Sequence, residues 1–215
     1  MCGRIFVKPS SNTSKLLAAL LGLEGSELPT LNNVAPTETI PVIGYNPEGR
    51  LDLIPMRWWL HPSWSKEPPS QQYATFNARI ETILTSPSFR GPIKQHRAIV
   101  PASGFVEWRT EGKMKTPFFI QGKTEPLCMA AIFDVWNDLY SCAIVTQPAD
   151  ERFIHVHNRM PLALTLEQSK IWLDHSVPHT KLIDDLKGEC IGFEILEVDR
   201  AVNSARNKSD LVFIG

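Results

Sequence analysis

Short runs in which apolar and polar residues alternate, or in which apolar residues are continuous, dominate the middle of the chain. This pattern is typical of β-strands, and turns that contain Gly or Asp separate the runs. The five central runs are 97–101, 105–109, 117–121, 127–136 and 140–146. Two earlier runs, 40–45 and 51–58, flank the turn sequence at 46–49 and predict a strand pair. Strands are also predicted at 3–8, 160–164 and 191–198.

Helical periodicity is limited to short segments. The capping box Thr165-x-x-Gln168 predicts a helix that extends to about residue 173. An apolar-periodic run at 16–23, preceded by cap candidates at 11–14, predicts another. Three further short helices are predicted from Ser86-Pro87, over 149–156 and over 180–187. Together these elements predict an α+β fold, a single domain over 1–215 with a barrel-like, mostly antiparallel β core flanked by short helices.

Composition places the chain among ordinary soluble globular proteins, because 43% of its residues are hydrophobic and 21% are charged. No run approaches the roughly 18 apolar residues of a membrane span, and no apolar signal region follows Met1, so we expect neither membrane insertion nor secretion. A net charge of −1 argues against a generally basic nucleic-acid binder but leaves a local basic groove open.

The four cysteines show no C-x-x-C spacing, which disfavours a zinc ribbon or a redox motif. Cys128 and Cys142 lie in apolar, strand-like runs, and we expect them to be buried and reduced. A reducing cytoplasm fits this cysteine usage best. The sequence predicts neither a metal site nor a bound cofactor.

Cys2 differs chemically from the other cysteines because it follows the initiator methionine. Removal of Met1 would leave Cys2 with a free α-amine beside its thiol, and these groups have reference pKa values of about 7.7–8.0 and about 8.5. Such a 1,2-aminothiol can attack an aldehyde twice, forming a Schiff base through nitrogen and then a thiazolidine through sulfur. The alternative is that Cys2 belongs to a disordered terminus and has no function.

Two stretches hold candidate polar groups. Asn77 and Arg79 lie two positions apart on a predicted strand and so face the same side, where they could orient a substrate and a phosphate or simply be exposed. Glu107 lies in the apolar and aromatic stretch from Gly104 to Trp108. Burial there would raise its pKa and suit it to acid–base chemistry, whereas an amphipathic strand would point it outward.

His157 and Arg159 combine a proton carrier with a cation that suits phosphate. His155 completes a His-x-His spacing, but no further ligand cluster accompanies it, so we do not expect zinc. The alternative is a solvated or capping histidine at the end of a short helix.

A Pro- and Ser-rich segment at 59–75 predicts a long surface loop, and Trp58, Trp59 and Trp64 lie in or beside it. Tryptophans near a cation are suited to stack on the bases of single-stranded nucleic acid. Tryptophans that anchor a loop to the core would produce the same sequence, so both interpretations stay open.

Five motifs occur in order along the chain: Met1-Cys2-Gly3-Arg4, Asn33-x-Ala35-Pro36, Asn77-Ala78-Arg79-x-Glu81-Thr82, Arg97-x-x-x-Pro101-Ala102-x-Gly104-Phe105-x-Glu107-Trp108 and His157-x-Arg159-Met160-Pro161. In these motifs the chain resembles the SOS response-associated peptidase (SRAP) family over nearly its whole length. It departs from the family pattern at Trp59, where glycine is usual. This departure affects the shape of the loop at 59–75, which we call the aromatic loop.

The resemblance implies a monomer of bacterial type that binds single-stranded DNA at abasic sites and crosslinks to it through Cys2 after autoproteolytic or aminopeptidase removal of Met1. By motif match, Asn77 would position the sugar, Glu107 would shuttle protons and His157 would assist ring opening. The DNA-binding residues implied are Arg4, Trp58, Trp59, Trp64, Arg79 and Arg159.

Three other functions stay open at this point. Cys2 and His157 could form the nucleophile and base of a thiol peptidase that acts on other proteins. The same Schiff base could support an abasic-site lyase. A non-catalytic binder of single-stranded DNA would tolerate loss of Cys2 and would show only salt-sensitive binding.

Overall fold

The structure, a computed structural model, describes residues 3–123, 127–186, 188 and 191–214. The strands in these ranges are β1 (Arg4–Val7), β2 (Leu31–Val34), β3 (Thr39–Tyr45), β4 (Leu51–Arg57), β5 (Asn77–Arg79), β6 (Arg97–Ala102), β7 (Gly104–Glu111), β8 (Met114–Gly122), β9 (Leu127–Trp136), β10 (Leu139–Pro148), β11 (Arg159–Pro161), β12 (Ala163–Leu164) and β13 (Phe193–Glu197). The helices are α1 (Ser11–Leu21), α2 (Pro92–Gln95), α3 (Leu166–Leu173) and α4 (His179–Leu186).

The strands β10, β4, β3, β6 and β9 pair in a ring and close into a barrel. β3 pairs antiparallel with β4 up to Tyr45 opposite Leu51, which confirms the predicted strand pair. β6 and β9 continue the antiparallel order, and β10 closes the ring through a parallel contact of Ser141 with Arg57. The predicted α+β fold with a barrel-like, mostly antiparallel core is therefore confirmed.

A second sheet, in the order β13-β8-β7-β1-β2, is antiparallel throughout. Ile5 and Phe105 face the main core that this sheet shares with the barrel, whereas Val106 and Phe119 face a smaller cluster on the other side. Gly104 permits this close packing, since a Cβ there would lie 2.3 Å from the Phe119 ring. Both faces of β7 are thus covered where it begins.

The predicted burial of two cysteines is confirmed. Cys128 is 1% exposed and Cys142 is fully buried, both in the main core. Burial raises the pKa of the Cys142 thiol, which keeps it protonated and unreactive.

The capping chemistry of the helices agrees with the sequence, although one boundary does not. The Oγ1 of Thr165 accepts the N–H of Gln168, and the Gln168 side chain accepts the N–H of Thr165, so the predicted capping box opens α3. α1 begins earlier than the apolar run at 16–23 predicts, because Ser10 caps it and forms a capping box with Thr13. α4 lies within the predicted helix at 180–187 apart from its first residue.

The helix predicted over 149–156 is wrong, because this segment forms consecutive turns. The Asp150 carboxylate accepts the backbone N–H groups of Arg152 and Phe153, each at 3.0 Å. Side-chain acceptors of this kind offer the backbone an alternative to helical hydrogen bonds.

Two further boundaries differ from prediction. Turns replace the helix predicted from Ser86-Pro87, and the four-residue α2 begins at the next proline, Pro92. The strand predicted at 160–164 is divided, since β11 pairs with β10 and β12 pairs with β9. Across the described ranges, no helix is long and apolar enough to cross a membrane.

Thr165→Ala should lower the free energy of unfolding by about 1 kcal/mol, because the side-chain acceptor for the N–H of Gln168 is lost. Urea denaturation measures this change. Thr110→Ala is a suitable control, since Thr110 is exposed at the end of β7, and it should change stability by less than about 0.5 kcal/mol. Equal stability of the two variants would show that the cap contributes nothing.

Candidate active site

Glu107 is a buried carboxyl group in β7, with 4% of its surface exposed. Its Oε1 accepts the backbone N–H of Trp108 at 3.1 Å. Burial raises the pKa of Glu107, and His157 and the Trp108 N–H oppose part of that rise. Of the two orientations that the sequence leaves open, the structure shows the inward one, and a buried carboxyl group with a raised pKa suits proton transfer.

The register of β1 against β7 brings the start of the chain to Glu107. Ile5 lies opposite Phe105 and Arg4 lies opposite Val106 in this antiparallel pair. One step further in the same register, Gly3 is level with Glu107. Positions two apart share one face of a sheet, so this is the face of the main core. Cys2, the predicted nucleophile, lies outside the described residues.

Asn77 opens β5, which lies parallel to β10 with Asn77 opposite Ile144. β4 and β5 both pair with the same edge of β10, β4 at Ser141 and β5 from Ile144 onward. The loop between β4 and β5 therefore begins and ends at this edge. Asn77 is 7% exposed, the intervening Ala78 is fully buried, and Arg79 is exposed. The strand therefore presents an amide inside the site and a guanidinium at its rim.

His157 follows the turns after β10 and is half-buried. Phe153, in those turns, packs on Phe105 with ring centroids 6.0 Å apart, which attaches the segment to the strand of Glu107. His157 also opposes the raised pKa of Glu107, which indicates that the two side chains lie near each other. The Nδ1 of His157 lies 3.0 Å from the backbone nitrogen of Arg159 and 3.2 Å from its carbonyl oxygen, so the Arg159 backbone holds the ring in place.

Arg159 is held by a carboxylate that belongs to the Asn77 motif. Its Nη1 and Nη2 donate to the two oxygens of Glu81 at 2.7 and 3.0 Å, and Nη2 also donates to the carbonyl of Thr146 at 2.8 Å. Although burial favours the protonated acid, the bonds from Arg159 keep the pKa of Glu81 below its usual range. Glu81 belongs to the same sequence motif as Asn77, but no local sequence signal identifies it as the partner of Arg159.

Glu81→Gln should lower the free energy of unfolding by about 1 kcal/mol at pH 7, because a bidentate charged pair is lost. The folded pKa lies below the unfolded value of about 4.3, so this stability is present above about pH 4.3 and is lost as the pH falls through the folded pKa. Urea titrations at pH 7 and pH 3 measure the difference. A Glu167→Gln control, at an exposed pair with Lys170, should show almost none, and an undiminished Glu81→Gln effect at pH 3 would contradict the assignment.

Comparison with known proteins decides the family. The profile of the SOS response associated peptidase (SRAP) family matches residues 1–205. The chain belongs to this family.

Relatives at moderate identity support the assignment. The chain is 35% identical to the abasic site processing protein YoqW of Bacillus subtilis over 195 residues, which cover 86% of each protein. It is 34% identical to the abasic site processing protein YedK of Escherichia coli, covering 82% of this chain and 80% of YedK. A crystal structure of a Bacteroides thetaiotaomicron protein matches with a TM-score of 0.66 and 30% identity, over 77% of this chain and 75% of that one.

The three tryptophans predicted to stack on bases have different environments in this SRAP chain. Trp58 is fully buried and its indole N–H donates to the carbonyl of Phe76 at 2.9 Å, so it offers no face to a base. Its assignment to DNA binding is wrong, and it anchors the loop to the core. Trp59 is half-buried, and its ring lies 5.1 Å from that of Phe76, the residue directly before Asn77. Trp64, in contrast, is 64% exposed.

The three SRAP arginines predicted to hold phosphates also differ. Arg79 is exposed at the rim, whereas Arg159 is engaged by the contacts described above. Arg4 donates to the carbonyl of Asn203 at 3.2 Å and lies 5.6 Å from the ring centroid of Trp108. Trp108 in turn donates from its indole N–H to the Asn203 side chain at 2.6 Å.

The segment at 200–207 supports the site from a distance in sequence that no local pattern reveals. The Asn33 amide donates to the carbonyls of Val202, Ser204 and Asn207 at 3.2, 2.9 and 2.8 Å. These contacts hold the segment beside β1 and β7. Among the described residues, no group of His, Cys, Asp or Glu side chains is arranged to hold a metal ion.

Proposed function

We propose that this SRAP chain senses and shields abasic sites in single-stranded DNA through a covalent thiazolidine crosslink, formed by Cys2 after removal of Met1. Glu107 carries the proposal, as a buried carboxyl group at the sheet position level with Gly3. Because Cys2 is bonded to Gly3, their Cα atoms are about 3.8 Å apart. The names of the relatives, abasic site processing proteins, support the same substrate.

The chemistry is balanced without an oxidant or a reductant. An abasic deoxyribose opens to an aldehyde, and the α-amine of Cys2 adds to the aldehyde carbon. The resulting carbinolamine loses one water and becomes a Schiff base. The thiolate then adds to the same carbon while the nitrogen takes up a proton, which closes the five-membered ring.

The three described site residues have chemically distinct tasks in this proposal. Glu107, with its raised pKa, would protonate the leaving hydroxyl of the carbinolamine and recover the proton later. His157, held by the backbone of Arg159, would donate a proton to the sugar ring oxygen as the ring opens. Asn77 would orient the sugar through its buried amide.

The surrounding groups would hold the DNA strand. Arg79 would pair with a phosphate beside the lesion, since its guanidinium is exposed. Arg4 and Arg159 would contribute positive charge to the same phosphates while they keep their contacts inside the protein. Trp59 and Trp64 would contact neighbouring bases. One chain supplies every proposed group, so a monomer in a bacterial cytoplasm would suffice.

The decisive experiment mixes the purified protein with a single-stranded oligonucleotide that carries one abasic site. An adduct that survives denaturing electrophoresis should form, and its mass should equal the oligonucleotide plus the protein without Met1, minus one water. An intact oligonucleotide and the Cys2→Ser variant are the controls. Equal crosslinking by Cys2→Ser would refute the proposal.

The family description as a peptidase favours a second activity, the autoproteolytic removal of Met1. The intact mass of wild type and Cys2→Ala, made in cells without methionine aminopeptidase, tests this. Met1 should be absent from wild type and retained in the variant. Turnover of an added peptide, lost in Cys2→Ala, would instead identify a peptidase that acts on other proteins. A cut DNA strand in the untreated reaction, together with an adduct that borohydride traps, would identify a lyase.

A further inference from the structure

A cleft of about 380 Å³ lies between the aromatic loop and the turns that precede α2. Trp64, Arg90, Lys94 and His96 line it, and the buried carboxylate of Asp134 lies in its floor. Of these residues, only Trp64 has a role in the proposed function, as a contact to a neighbouring base.

The rim of the cleft is positively charged. Arg90 and Lys94 are exposed, and neither makes an ion pair with any residue that the structure describes. The Asp134 carboxylate in the floor is stabilised by backbone hydrogen bonds, since it accepts the N–H of Ser63 at 2.8 Å and the N–H of Val135 at 2.9 Å. Two accessible cations therefore face the solvent with no carboxylate at the rim to neutralise them.

His96 lies beside the Asp134 carboxylate. Its Nδ1 lies 3.6 Å from a carboxylate oxygen of Asp134, and its ring stacks on Phe133 with centroids 4.8 Å apart. These contacts hold the ring in place between the floor and the rim.

The exposed tryptophan is attached to the same turn as the cations. The indole N–H of Trp64 donates to the carbonyl of Pro87 at 3.3 Å, three residues before Arg90. An aromatic face and two cations are thereby held side by side. This combination suits single-stranded nucleic acid, in which a base stacks on the ring and the phosphates pair with the cations. In a duplex, no unpaired base would be available for the ring.

The strand pairings measure how far the cleft lies from the candidate active site. Asp134 lies opposite Ser141 on one edge of β10, and Asn77 lies opposite Ile144 on the other edge. Three residues along the strand and two strand spacings separate the two backbone positions, which are therefore about 14 Å apart in a straight line, and the odd offset puts the two side chains on opposite faces of the sheet. A DNA strand that reaches both therefore spans at least about four stacked nucleotides, at about 3.4 Å each.

We propose that this cleft binds the backbone of single-stranded DNA at least about four nucleotides from the abasic site. Arg90 and Lys94 contact phosphates and Trp64 stacks on a base. The distance to the lesion rests on the proposed function, whereas the affinity for an unmodified single strand does not.

Binding to an intact oligonucleotide tests the cleft without any crosslinking chemistry. The double variant Arg90→Gln/Lys94→Gln should bind about tenfold more weakly, and the slope of log K against log salt should fall by about 1.4, since about 0.7 is lost for each phosphate contact on a single strand. Trp64→Ala should weaken binding by a similar factor and leave the slope unchanged. Fluorescence anisotropy measures both quantities.

The matched control is Lys15→Gln/Arg50→Gln, which removes the same charge from exposed positions outside the cleft. It should bind like wild type. Equal affinity of the two double variants would overturn the proposal. Polyglutamate and an unlabelled oligonucleotide of equal charge should also be compared as competitors for the bound oligonucleotide. If polyglutamate competes equally well, the proposal is overturned, because the cleft would then fit an acidic peptide.

Abasic oligonucleotides locate the cleft relative to the lesion. At limiting protein, the Arg90→Gln/Lys94→Gln variant should crosslink more slowly than the control only when more than about four nucleotides extend from the lesion on one side. Loss of affinity for intact DNA in a protein that forms no adduct would refute the proposed function and support the cleft. Normal adduct formation with normal affinity in this variant would refute the cleft alone.

Discussion

Glu107→Gln should slow formation of the abasic-site adduct by about 10²–10⁴-fold, the usual contribution of a positioned acid–base group. Glutamine preserves the size of the side chain, and its amide oxygen can still accept the N–H of Trp108. It cannot exchange a proton with the carbinolamine. Single-turnover kinetics at pH 7, with protein in excess over the abasic oligonucleotide, measure the rate of this step.

The same substitution should not destabilise the fold, which separates a chemical effect from a structural one. Burial raises the folded pKa of Glu107 above the unfolded value of about 4.3. The wild-type protein is therefore stabilised by the protonated acid below about pH 4.3, and this stability is lost as the pH rises through the folded pKa. Glutamine does not ionise, so the variant should be at least as stable as wild type at pH 7 and should show a flatter pH dependence.

Two outcomes would contradict the role of Glu107. Adduct formation at the wild-type rate by the folded variant would remove the carboxyl group from the mechanism. A marked loss of stability at pH 7 would show that the charged form is favoured in the folded state. Glu111→Gln, at an exposed position on the same strand, is the matched control and should change neither quantity.

The sequence predicts the sheet well because buried strands produce long apolar runs. The run at 127–136 has the same bounds as β9, whose first eight residues are all buried. Short helices are harder to predict, since local side-chain bonds decide them. The Asp150 carboxylate converts one predicted helix into turns, and the chemistry of a first-turn proline fits Pro87 as well as Pro92, where α2 begins.

The sequence predicts which residues form the candidate site, but it does not predict how they are arranged or buried. Alternation along β7 places Glu107 on one face, but its burial depends on β1, which is about 100 residues away in sequence and lies opposite β7. Local sequence also does not distinguish Trp58, which fills the core, from Trp64, which is exposed. Both questions are decided by long-range pairing, which residue types and spacing do not specify.

Arg97→Met should lower the free energy of unfolding by about 3–5 kcal/mol, because it removes the donors for two buried and two partly buried carbonyl groups. Arg97 is 1% exposed, and it donates to the carbonyls of Trp172 and Asp174 at 2.6 Å each. Longer bonds of 3.4 Å reach Ile93 and Val177. The guanidinium thus ties the start of β6 to the ends of α2 and α3. Urea denaturation at pH 7 measures the loss.

The cost follows from where these carbonyls lie. The last carbonyls of a helix have no intrahelical donors, and they carry the negative end of the helix dipole, which a buried cation complements. Burial lowers the pKa of Arg97, but an arginine starts from so high a value that it stays charged. Methionine fills the same space without a donor, and Arg97→Lys should recover only part of the loss, since one ammonium group cannot reach all these acceptors. Arg109→Met, at a partly exposed ion pair, should cost less than about 1 kcal/mol, and a similarly small cost for Arg97→Met would show that the carbonyls find other partners.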